Sequence, residues 1–259
     1  EISVVVSTHN RIKLLENCLN SLSNQTCDKE KYEIIVADDN SNDGTQQWVK
    51  TLHTECNLRY LRLDVNSSCG IARNYGVKHS KGEIIGFIDD DATVKRDWIE
   101  KIVKFYKERP DIAACGNISR NIFCKFNRNY ECLEYIIESK ENSVPNNTNV
   151  IIGELDISSF MVGNNSSVRK DIFLRLGGFD ESLRTCEDID FGHKVIRNGY
   201  KICSNPEMKA THYLDINPIR ICIKYYKYGL EEVIIMKRYY KNNIVIHFSL
   251  IGKIVLQFK

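Results

Sequence analysis

Four short runs of β-branched and aliphatic residues divide the first part of the chain, and they constrain its fold more than any other feature. They cover residues 2–6, 32–37, 58–63 and 83–88. Each run is almost continuously apolar, which is typical of strands buried on both faces of a sheet. Amphipathic helical patterns separate the runs, and this alternation predicts right-handed strand–helix–strand crossovers. We therefore expect an α/β fold with a mostly parallel central sheet flanked by helices.

The same patterns continue through the rest of the chain. Residues 130–137 are compatible with a helix, and residues 142–149 are expected to be irregular. We interpret the whole as one compact domain with a C-terminal helical appendage. Further helices are predicted at 14–22, 43–52, 71–77, 97–106, 170–176 and 187–198, and further strands at 112–118, 158–162, 166–168 and around Ala210.

The last part of the chain, residues 218–259, differs in composition from the rest. It carries a net charge of +6, whereas the remainder carries −4, and it is rich in tyrosine and aliphatic residues. Such a segment is suited to contact anions or a membrane face, although the solvated face of ordinary terminal helices has the same composition. Its most apolar run, residues 244–258, is interrupted by His247 and Lys253 and is too short to span a bilayer.

The chain has ten cysteines, but none of them forms a CxxC pair. Several, such as Cys18 and Cys115, fall within apolar patterns, where cysteine acts as a small hydrophobe. We interpret them mostly as free thiols in a reducing compartment. This favours a cytoplasmic location, with the basic tail placed to contact the inner face of the cell membrane.

Polar clusters follow three of the predicted strands, at residues 7–10, 38–40 and 89–91. Because ligands of open parallel sheets bind beyond the carboxyl ends of the strands, these clusters are expected to converge on one edge. Five aspartates gathered there repel one another unless a cation joins them. Oxygen ligands of this kind favour Mg²⁺, Mn²⁺ or Ca²⁺ over zinc.

No glycine-rich phosphate loop accompanies these carboxylates. The sequence lacks GxGxxG after the first strand and lacks GxxxxGK[ST] throughout. This argues against a dinucleotide-binding dehydrogenase and against a P-loop NTPase, whereas a diphosphate held by a metal on acidic residues needs no such loop.

The sequence contains an ordered series of short motifs, namely VVVSTHN at 4–10, VADDNSNDGT at 36–45, GIARNYG at 70–76, FIDDD at 87–91, GNN at 163–165, GGFDE at 177–181 and CEDID at 186–190. In this order and spacing they resemble the family 2 glycosyltransferases, whose core is the GT-A fold. The resemblance covers residues 2–213 and implies an inverting enzyme that transfers a sugar from a nucleotide-diphosphate donor.

The resemblance also implies roles for individual residues. Asp91 and His212 match the positions that bind Mn²⁺ or Mg²⁺, Asp188 matches the catalytic base, and Glu187 adjoins it. Thr8 and Asp39 match residues that hold the nucleotide base. The donor-binding set as a whole is Thr8, Asn10, Asp39, Arg73, Asp89 and Asp90, in which Arg73 lies beside the base or phosphates, Asp89 faces the ribose and the role of Asp90 is open.

The same resemblance divides the chain. Residues 1–217 form the catalytic domain, with a nucleotide-binding half at 1–118 and an acceptor and catalytic half at 119–217, and residues 218–259 form a basic helical tail. A base at the start of a helix projects into a cleft where the helix dipole favours its charge. Removing the acceptor proton there contributes about 10²–10⁴-fold to the rate.

Each of these residues also has a purely structural reading. Asp89 to Asp91 fit an acidic helix-capping turn, and Glu187 with Asp188 fit the first turn of a helix. His212 beside Tyr213 fits a packed histidine, and Cys186 is interpreted as a packing residue. The position of Asp89 to Asp91 at the end of a buried strand favours a site, and His212 is favoured only by its place in the family pattern.

Three functions therefore remain in view. The leading function is sugar transfer, for which the family resemblance implies a UDP-linked donor. The acceptor is a hydroxyl group of a glycan, a lipid-linked sugar, a peptide or a small molecule. A sugar nucleotidyltransferase is the second, although residues 7–14 lack the glycine-rich loop of that class. The third function is a module that binds a nucleotide sugar without turnover. The intact Glu187-Asp188 pair argues against this function. The basic residues do not form a known nucleic-acid recognition motif, so nucleic acid is not an expected partner.

Overall fold

The computed structural model describes residues 1–117, 119–127, 130, 132–138, 163–240, 244–248 and 254–258. For 132–138, 244–248 and 254–258 it describes the backbone alone. The strands in chain order are β1 Ile2–Thr8, β2 Tyr32–Asp38, β3 Asn57–Arg62, β4 Ile84–Asp89, β5 Ala92–Val94, β6 Ile112–Gly116, β7 Arg120–Phe126, β8 Cys132–Glu138, β9 Asn165–Arg169, β10 Lys201–Ser204, β11 Ala210–Asp215, β12 Ile244–Phe248 and β13 Ile254–Phe258. The helices are α1 Ile12–Ser23, α2 Thr45–Thr51, α3 Cys69–Lys78, α4 Trp98–Glu108, α5 Lys170–Arg175, α6 Glu187–Arg197 and α7 Pro218–Tyr240, with a 3₁₀ helix at Lys29–Lys31.

A seven-stranded sheet in the order β10-β6-β9-β4-β1-β2-β3 forms the centre of the fold. Strand β9 runs antiparallel to both β4 and β6, and the other neighbours in the sheet are parallel. Thr8 pairs with Asp38 across β1 and β2, and Ser7 pairs with Asp89 across β1 and β4. The predicted mostly parallel sheet is confirmed, and its carboxyl edge gathers the predicted polar clusters.

The buried strands separate two hydrophobic layers, because successive side chains of a strand point to opposite faces. Val4 and Val6 of β1 pack with α1 and α4 on one face. Val5 packs with α3, α5 and α6 on the other. Each fully buried aliphatic or aromatic side chain in these layers contributes about 1.5–3 kcal/mol, which makes the sheet a rigid support for its carboxyl edge.

A second sheet, β5-β11-β7-β8, lies beyond the end of β4. In it β11 pairs antiparallel with β5, which places His212 opposite Ala92. The prediction of a helix at residues 130–137 is wrong, because residues 132–138 form β8 and pair antiparallel with β7. Pairing with the strand that precedes it in the chain overrides a local helical pattern of this length. The predictions for 142–149 and 158–162 lie outside the described residues.

The C-terminal part is helical only as far as Tyr240, where α7 ends. The prediction of a wholly helical tail is wrong at β12 and β13, which pair antiparallel with each other. Their runs of isoleucine and valine favour strands over helix. Within the part of the chain that the structure describes, no helix is both long enough and apolar enough to cross a membrane. The nine cysteines whose side chains the structure describes are all free thiols, as predicted.

Candidate active site

Three consecutive aspartates at the end of β4 lie in three different environments. Asp90 is buried, and it accepts a hydrogen bond from the Thr8 hydroxyl at 2.7 Å and another from Arg11 at 3.1 Å. Burial raises the pKa of Asp90 to about 7, against the opposing charge of Arg11 and with the support of Asp91. Asp90 therefore faces the protein interior and joins β4 to the end of β1.

Asp91 faces His212 from the second sheet. Nε2 of His212 lies 3.0 Å from Oδ1 of Asp91. Among the residues that the structure describes, no other donor reaches this buried oxygen. The other oxygen of Asp91 accepts from Arg11 at 3.0 Å. Burial raises the pKa of Asp91, but His212 and Arg11 outweigh it and hold this pKa below its usual range.

The oxygens and nitrogens around Asp91 fit a divalent cation. One ligand atom each from Asp89, Asp91 and His212 lies within 4.8 Å of the other two. The side-chain amide of Asn164 lies 2.9 Å from Nδ1 of His212 and orients the ring. Two carboxylates and one imidazole, gathered around the buried Oδ1 of Asp91, form a ligand set that Mn²⁺ or Mg²⁺ accepts.

The loops after β1 and β2 form a second polar group beside these aspartates. Oδ1 of Asp39 accepts from the backbone N–H of Ser67 at 2.7 Å, and Oδ2 accepts from the Asn66 amide at 3.0 Å. Burial is the largest cause of the raised pKa of Asp39, although the Ser67 N–H opposes it. Asn10 has φ of 54°, and its side-chain oxygen accepts from the N–H of Asn42 at 2.7 Å. Asn10 and Asp39 thus order the two loops that border the cleft.

Arg73 of α3 lies beneath the site, between its two acidic groups. Its guanidinium is 3% exposed, and it donates to Asp89 and, at 2.5 Å, to Glu187. A Cβ atom at Gly163 would lie 2.5 Å from both terminal nitrogens of Arg73. Residue 163 must therefore be glycine for Arg73 to bridge the end of β4 and the start of α6.

Asp188 lies half-buried in the first turn of α6. The backbone N–H of Gly163 donates to its Oδ2 at 2.7 Å, and the N–H of Ile189 donates to its Oδ1 at 2.8 Å. Burial is the largest cause of the raised pKa of Asp188, with Arg73 opposing it. Burial likewise raises the pKa of the neighbouring Glu187 to about 7 despite its contact with Arg73. The carboxylate of Asp188 is thus held at a fixed position with an increased affinity for a proton.

Cys186 begins α6 in the left-handed conformation, with φ of 58°. It is buried with Leu183 and with Ile235 of α7. The interpretation of Cys186 as a packing residue agrees with this position, and the sharp turn that it makes directs Glu187 inward.

Several residues at this edge had no role in the sequence prediction. Arg11 pairs with two of the aspartates, and Asn164 orients His212. Lys224 and Tyr228 of α7 are close enough to act electrostatically on Asp91 and on Asp188 respectively. Asn164 occurs within a recognised motif and Arg11 directly follows one, but no local pattern indicates that α7 packs across the site.

A sequence model of the family described as Glycosyl transferase family 2 matches residues 3–177. The chain belongs to glycosyl transferase family 2. This match contains the strand ends and the three aspartates, while Glu187, Asp188 and His212 lie beyond it.

Known family 2 members resemble the chain over different lengths. The uncharacterized glycosyltransferase YfnE of Bacillus subtilis is 24% identical over 251 residues, which cover 81% of this chain and 64% of YfnE. The poly(ribitol-phosphate) β-N-acetylglucosaminyltransferase TarS of Staphylococcus aureus is 34% identical over 109 residues, which cover 42% of this chain and 19% of TarS. The chain therefore spans less than two thirds of the length of these two relatives.

Solved structures of family 2 enzymes share the fold. A crystal structure of TarS in complex with UDP-GlcNAc superposes with a TM-score of 0.62 at 23% identity, covering 83% of this chain and 58% of that one. The mannosyltransferase PcManGT of Pyrobaculum calidifontis, in complex with GDP-Man and Mn²⁺, gives a TM-score of 0.57 at 21% identity, covering 82% and 56%. The central fold is thus the GT-A fold, as predicted.

Proposed function

We propose that this family 2 protein transfers a sugar from a nucleotide-diphosphate donor to a hydroxyl acceptor, with inversion at the anomeric carbon. One observation carries the proposal. The cation-ligand group of Asp89, Asp91 and His212 and the carboxylate of Asp188 meet at one edge of the sheet, where buried Arg73 joins Asp89 to the residue before Asp188. A leaving-group site and a base site are thereby held at fixed positions relative to each other.

The donor occupies the loops after β1 and β2 and the end of β4. Asp39 and Thr8 border the nucleoside, Asn10 orders the first loop, and Asp89 faces the ribose. Asp90, hydrogen-bonded to Thr8, supports this surface from below and does not contact the donor. We propose UDP as the nucleotide of the donor. The crystal structure of TarS in complex with UDP-GlcNAc supports this choice.

Asp91 and His212, with Asp89 beside them, would hold Mn²⁺ or Mg²⁺, which would supply positive charge to offset the charge that develops on the departing diphosphate. Arg11 lies at the opposite oxygen of Asp91 and adds a second positive charge on the same side. His212 keeps its orientation because the Asn164 amide lies against its other ring nitrogen.

Asp188 acts as the general base. The acceptor oxygen attacks the anomeric carbon, the bond from that carbon to the diphosphate oxygen breaks, and the acceptor proton passes to Asp188. The N–H groups of Gly163 and Ile189 hold the carboxylate in place, and its raised pKa makes it a stronger base than a solvated aspartate. Glu187, paired with Arg73, supports Asp188 and does not itself take the proton.

Titration calorimetry of UDP, GDP, CDP and TDP, each with and without Mn²⁺, tests the donor site. Metal-dependent binding of one nucleotide that is lost in Asp91→Ala supports the proposal and names the base. Asp188→Asn is the matched variant, because it is expected to retain that binding and lose transfer. A folded wild-type protein that binds none of the four nucleotides contradicts the proposal, and transfer retained by Asp188→Asn contradicts the assignment of the base.

We also propose that α7 places the enzyme against an anionic membrane surface from the cytoplasmic side. One face of the helix is apolar at helical spacing and carries lysine but no acidic side chain, which is the composition of an interfacial helix. The apolar residues, between 49% and 71% exposed, are Ile219, Ile223, Tyr226, Leu230 and Ile234. A lipid-linked or polymeric acceptor at the membrane is consistent with this placement.

Flotation with vesicles that contain phosphatidylglycerol tests the membrane contact. The double variant Ile223→Asp and Leu230→Asp is expected to reduce binding, whereas Leu174→Asp changes an equally exposed leucine of α5 and is expected to leave it unchanged. Wild-type protein that stays unbound in the presence of these vesicles contradicts the proposal.

A further inference from the structure

We propose that Glu231 of α7 is a positioning residue for the catalytic segment, because it fixes the backbone that immediately precedes Asp188. This inference rests on the proposed function, in which Asp188 is the base. The C-terminal helix is then a working part of the active site as well as a membrane-facing surface.

The carboxylate of Glu231 accepts three hydrogen bonds from two consecutive residues. The backbone N–H of Arg184 donates to Oε1 at 2.8 Å, and that of Thr185 donates to Oε2 at 2.5 Å. The Thr185 hydroxyl also donates to Oε2, at 3.0 Å. Charge-assisted hydrogen bonds of this kind are stronger than neutral ones and define the direction of both partners.

The backbone held in this way leads directly into the base. Thr185 precedes Cys186, which takes the left-handed conformation, and α6 begins at the next residue. A shift at Thr185 is therefore transmitted within three residues to Asp188. The Cys186 side chain also packs against Ile235, one turn of α7 beyond Glu231, so the helix supports this turn from two positions.

A second residue of α7 holds the segment further along. Arg238 donates to Asp190 of α6 at 2.5 Å and lies 2.7 Å from Asp180. The hydroxyl of Tyr239 donates to the same oxygen of Asp190 at 2.9 Å. Glu231 and Arg238 therefore contact residues on both sides of Asp188, and α7 spans the catalytic segment from residue 180 to residue 190.

Glutamine at position 231 cannot reproduce these bonds. Its amide offers one acceptor oxygen and one NH₂ group, whereas all three partners are donors, so the NH₂ group faces an N–H. The adjacent Glu232 supplies a matched control on the same helix. Glu232→Gln removes the same charge, and the structure places no hydrogen bond or ion pair on Glu232 among the described residues.

Three measurements on Glu231→Gln and Glu232→Gln test the inference. Amide hydrogen exchange over residues 182–192 is expected to be about tenfold faster in Glu231→Gln and unchanged in the control. Turnover, measured as UDP release from UDP-N-acetylglucosamine with Mn²⁺, is expected to fall by about 10- to 100-fold in kcat with little change in KM. Binding of UDP with Mn²⁺ is expected to stay within about twofold of wild type, since Glu231 reaches the donor loops only indirectly, through the exposed Arg184 side chain that donates to the Ser67 carbonyl.

The outcomes distinguish the positioning role of Glu231 from the proposed transferase function. Wild-type exchange over residues 182–192 in Glu231→Gln, or an equal loss of kcat in both variants, overturns the positioning role. Faster exchange in Glu231→Gln together with no UDP release by the wild type retains the structural clamp and contradicts the proposed function or its donor. A rise in KM and a loss of UDP binding without a change in kcat would assign Glu231 to the donor site instead.

Discussion

Single residues at the sheet edge act through the partners that hold them. Asp89, Asp90 and Asp91 follow one another, yet the first pairs with Arg73, the second is buried against Thr8, and the third faces His212. Three identical side chains thus take three roles, because the strand end turns each one toward a different element. The chemistry of each residue is defined by its neighbours and not by its type.

Gly163→Ala tests the bridge formed by Arg73. The new Cβ would lie 2.5 Å from two guanidinium nitrogens that are already held by ion pairs, so the arginine must move. We expect a loss of about 1–3 kcal/mol in the free energy of unfolding, measured by urea denaturation. Gly70→Ala is the control, because its Cβ would lie 3.1 Å from the Glu187 Cγ atom, which needs a smaller adjustment. An equal cost for both variants would contradict the rigid bridge.

The pH dependence of turnover tests the base. A general base acts in its deprotonated form, so the rate falls as the pH falls through the pKa of Asp188. Burial raises that pKa above the usual range of aspartate, near 4, and the acidic limb is therefore expected above pH 4. The measurement is kcat for UDP release between pH 4 and pH 9. A rate that stays constant down to pH 4 would contradict either the raised pKa or the role of Asp188.

At the scale of elements, the ends of strands and the beginning of a helix form the site. Strands β1, β2 and β4 end at one edge, α6 begins there, and β11 brings His212 from the second sheet. Helices α1 and α4 pack on the far side of the central sheet and keep those ends in register. The positions of the functional groups therefore depend on packing that is remote from them.

Trp98→Phe tests this dependence in α4. The indole is fully buried, and its N–H donates to Oδ1 of Asn165 at 2.9 Å, next to the Asn164 that orients His212. Loss of ring volume and of the donor is expected to lower the free energy of unfolding by about 2–4 kcal/mol, measured by urea denaturation. Lys104→Ala, on the exposed side of α4, is expected to change it by less than about 0.5 kcal/mol. A similar small effect for Trp98→Phe would contradict the anchoring role.

At the scale of the whole molecule, carboxylates outnumber the basic side chains that pair with them at the edge of the central sheet. The catalytic edge gathers five carboxylates, Asp89, Asp90, Asp91, Glu187 and Asp188, around Arg11 and Arg73. Such an excess of negative charge is relieved by a bound cation, and a nucleotide diphosphate follows the cation. Ligand binding should therefore stabilise the entire domain.

Thermal unfolding measures that stabilisation. Mn²⁺ and UDP together, at about 100 times the dissociation constant, are expected to stabilise the fold by about 2.7 kcal/mol, which is a rise of several degrees in Tm. A chelator is expected to remove the rise, and Asp91→Ala is expected not to show it. An identical rise with UDP in the presence of chelator would mean that the nucleotide binds without the metal.

The sequence by itself determined the central sheet and most of the edge that it presents. Continuous β-branched runs such as Val4–Val6 have few alternatives to a buried strand, and the residues after such runs must lie at the carboxyl edge. For that reason Thr8, Asp39 and Asp89 to Asp91 are where the pattern predicts them. The motif resemblance added Asp188 and His212, whose local patterns alone are ambiguous.

Only the tertiary structure decided how the distant parts meet. His212 reaches Asp91 because β11 joins a second sheet through β5. Strand β8 replaces the helix predicted at 130–137 because it pairs with β7, its neighbour in the chain, which in turn pairs with the distant β11. The contacts of Arg73 with Glu187 and of Glu231 with Thr185 join residues far apart in the chain. Local periodicity encodes which face of an element is buried, but which partner covers that face depends on packing over the whole chain.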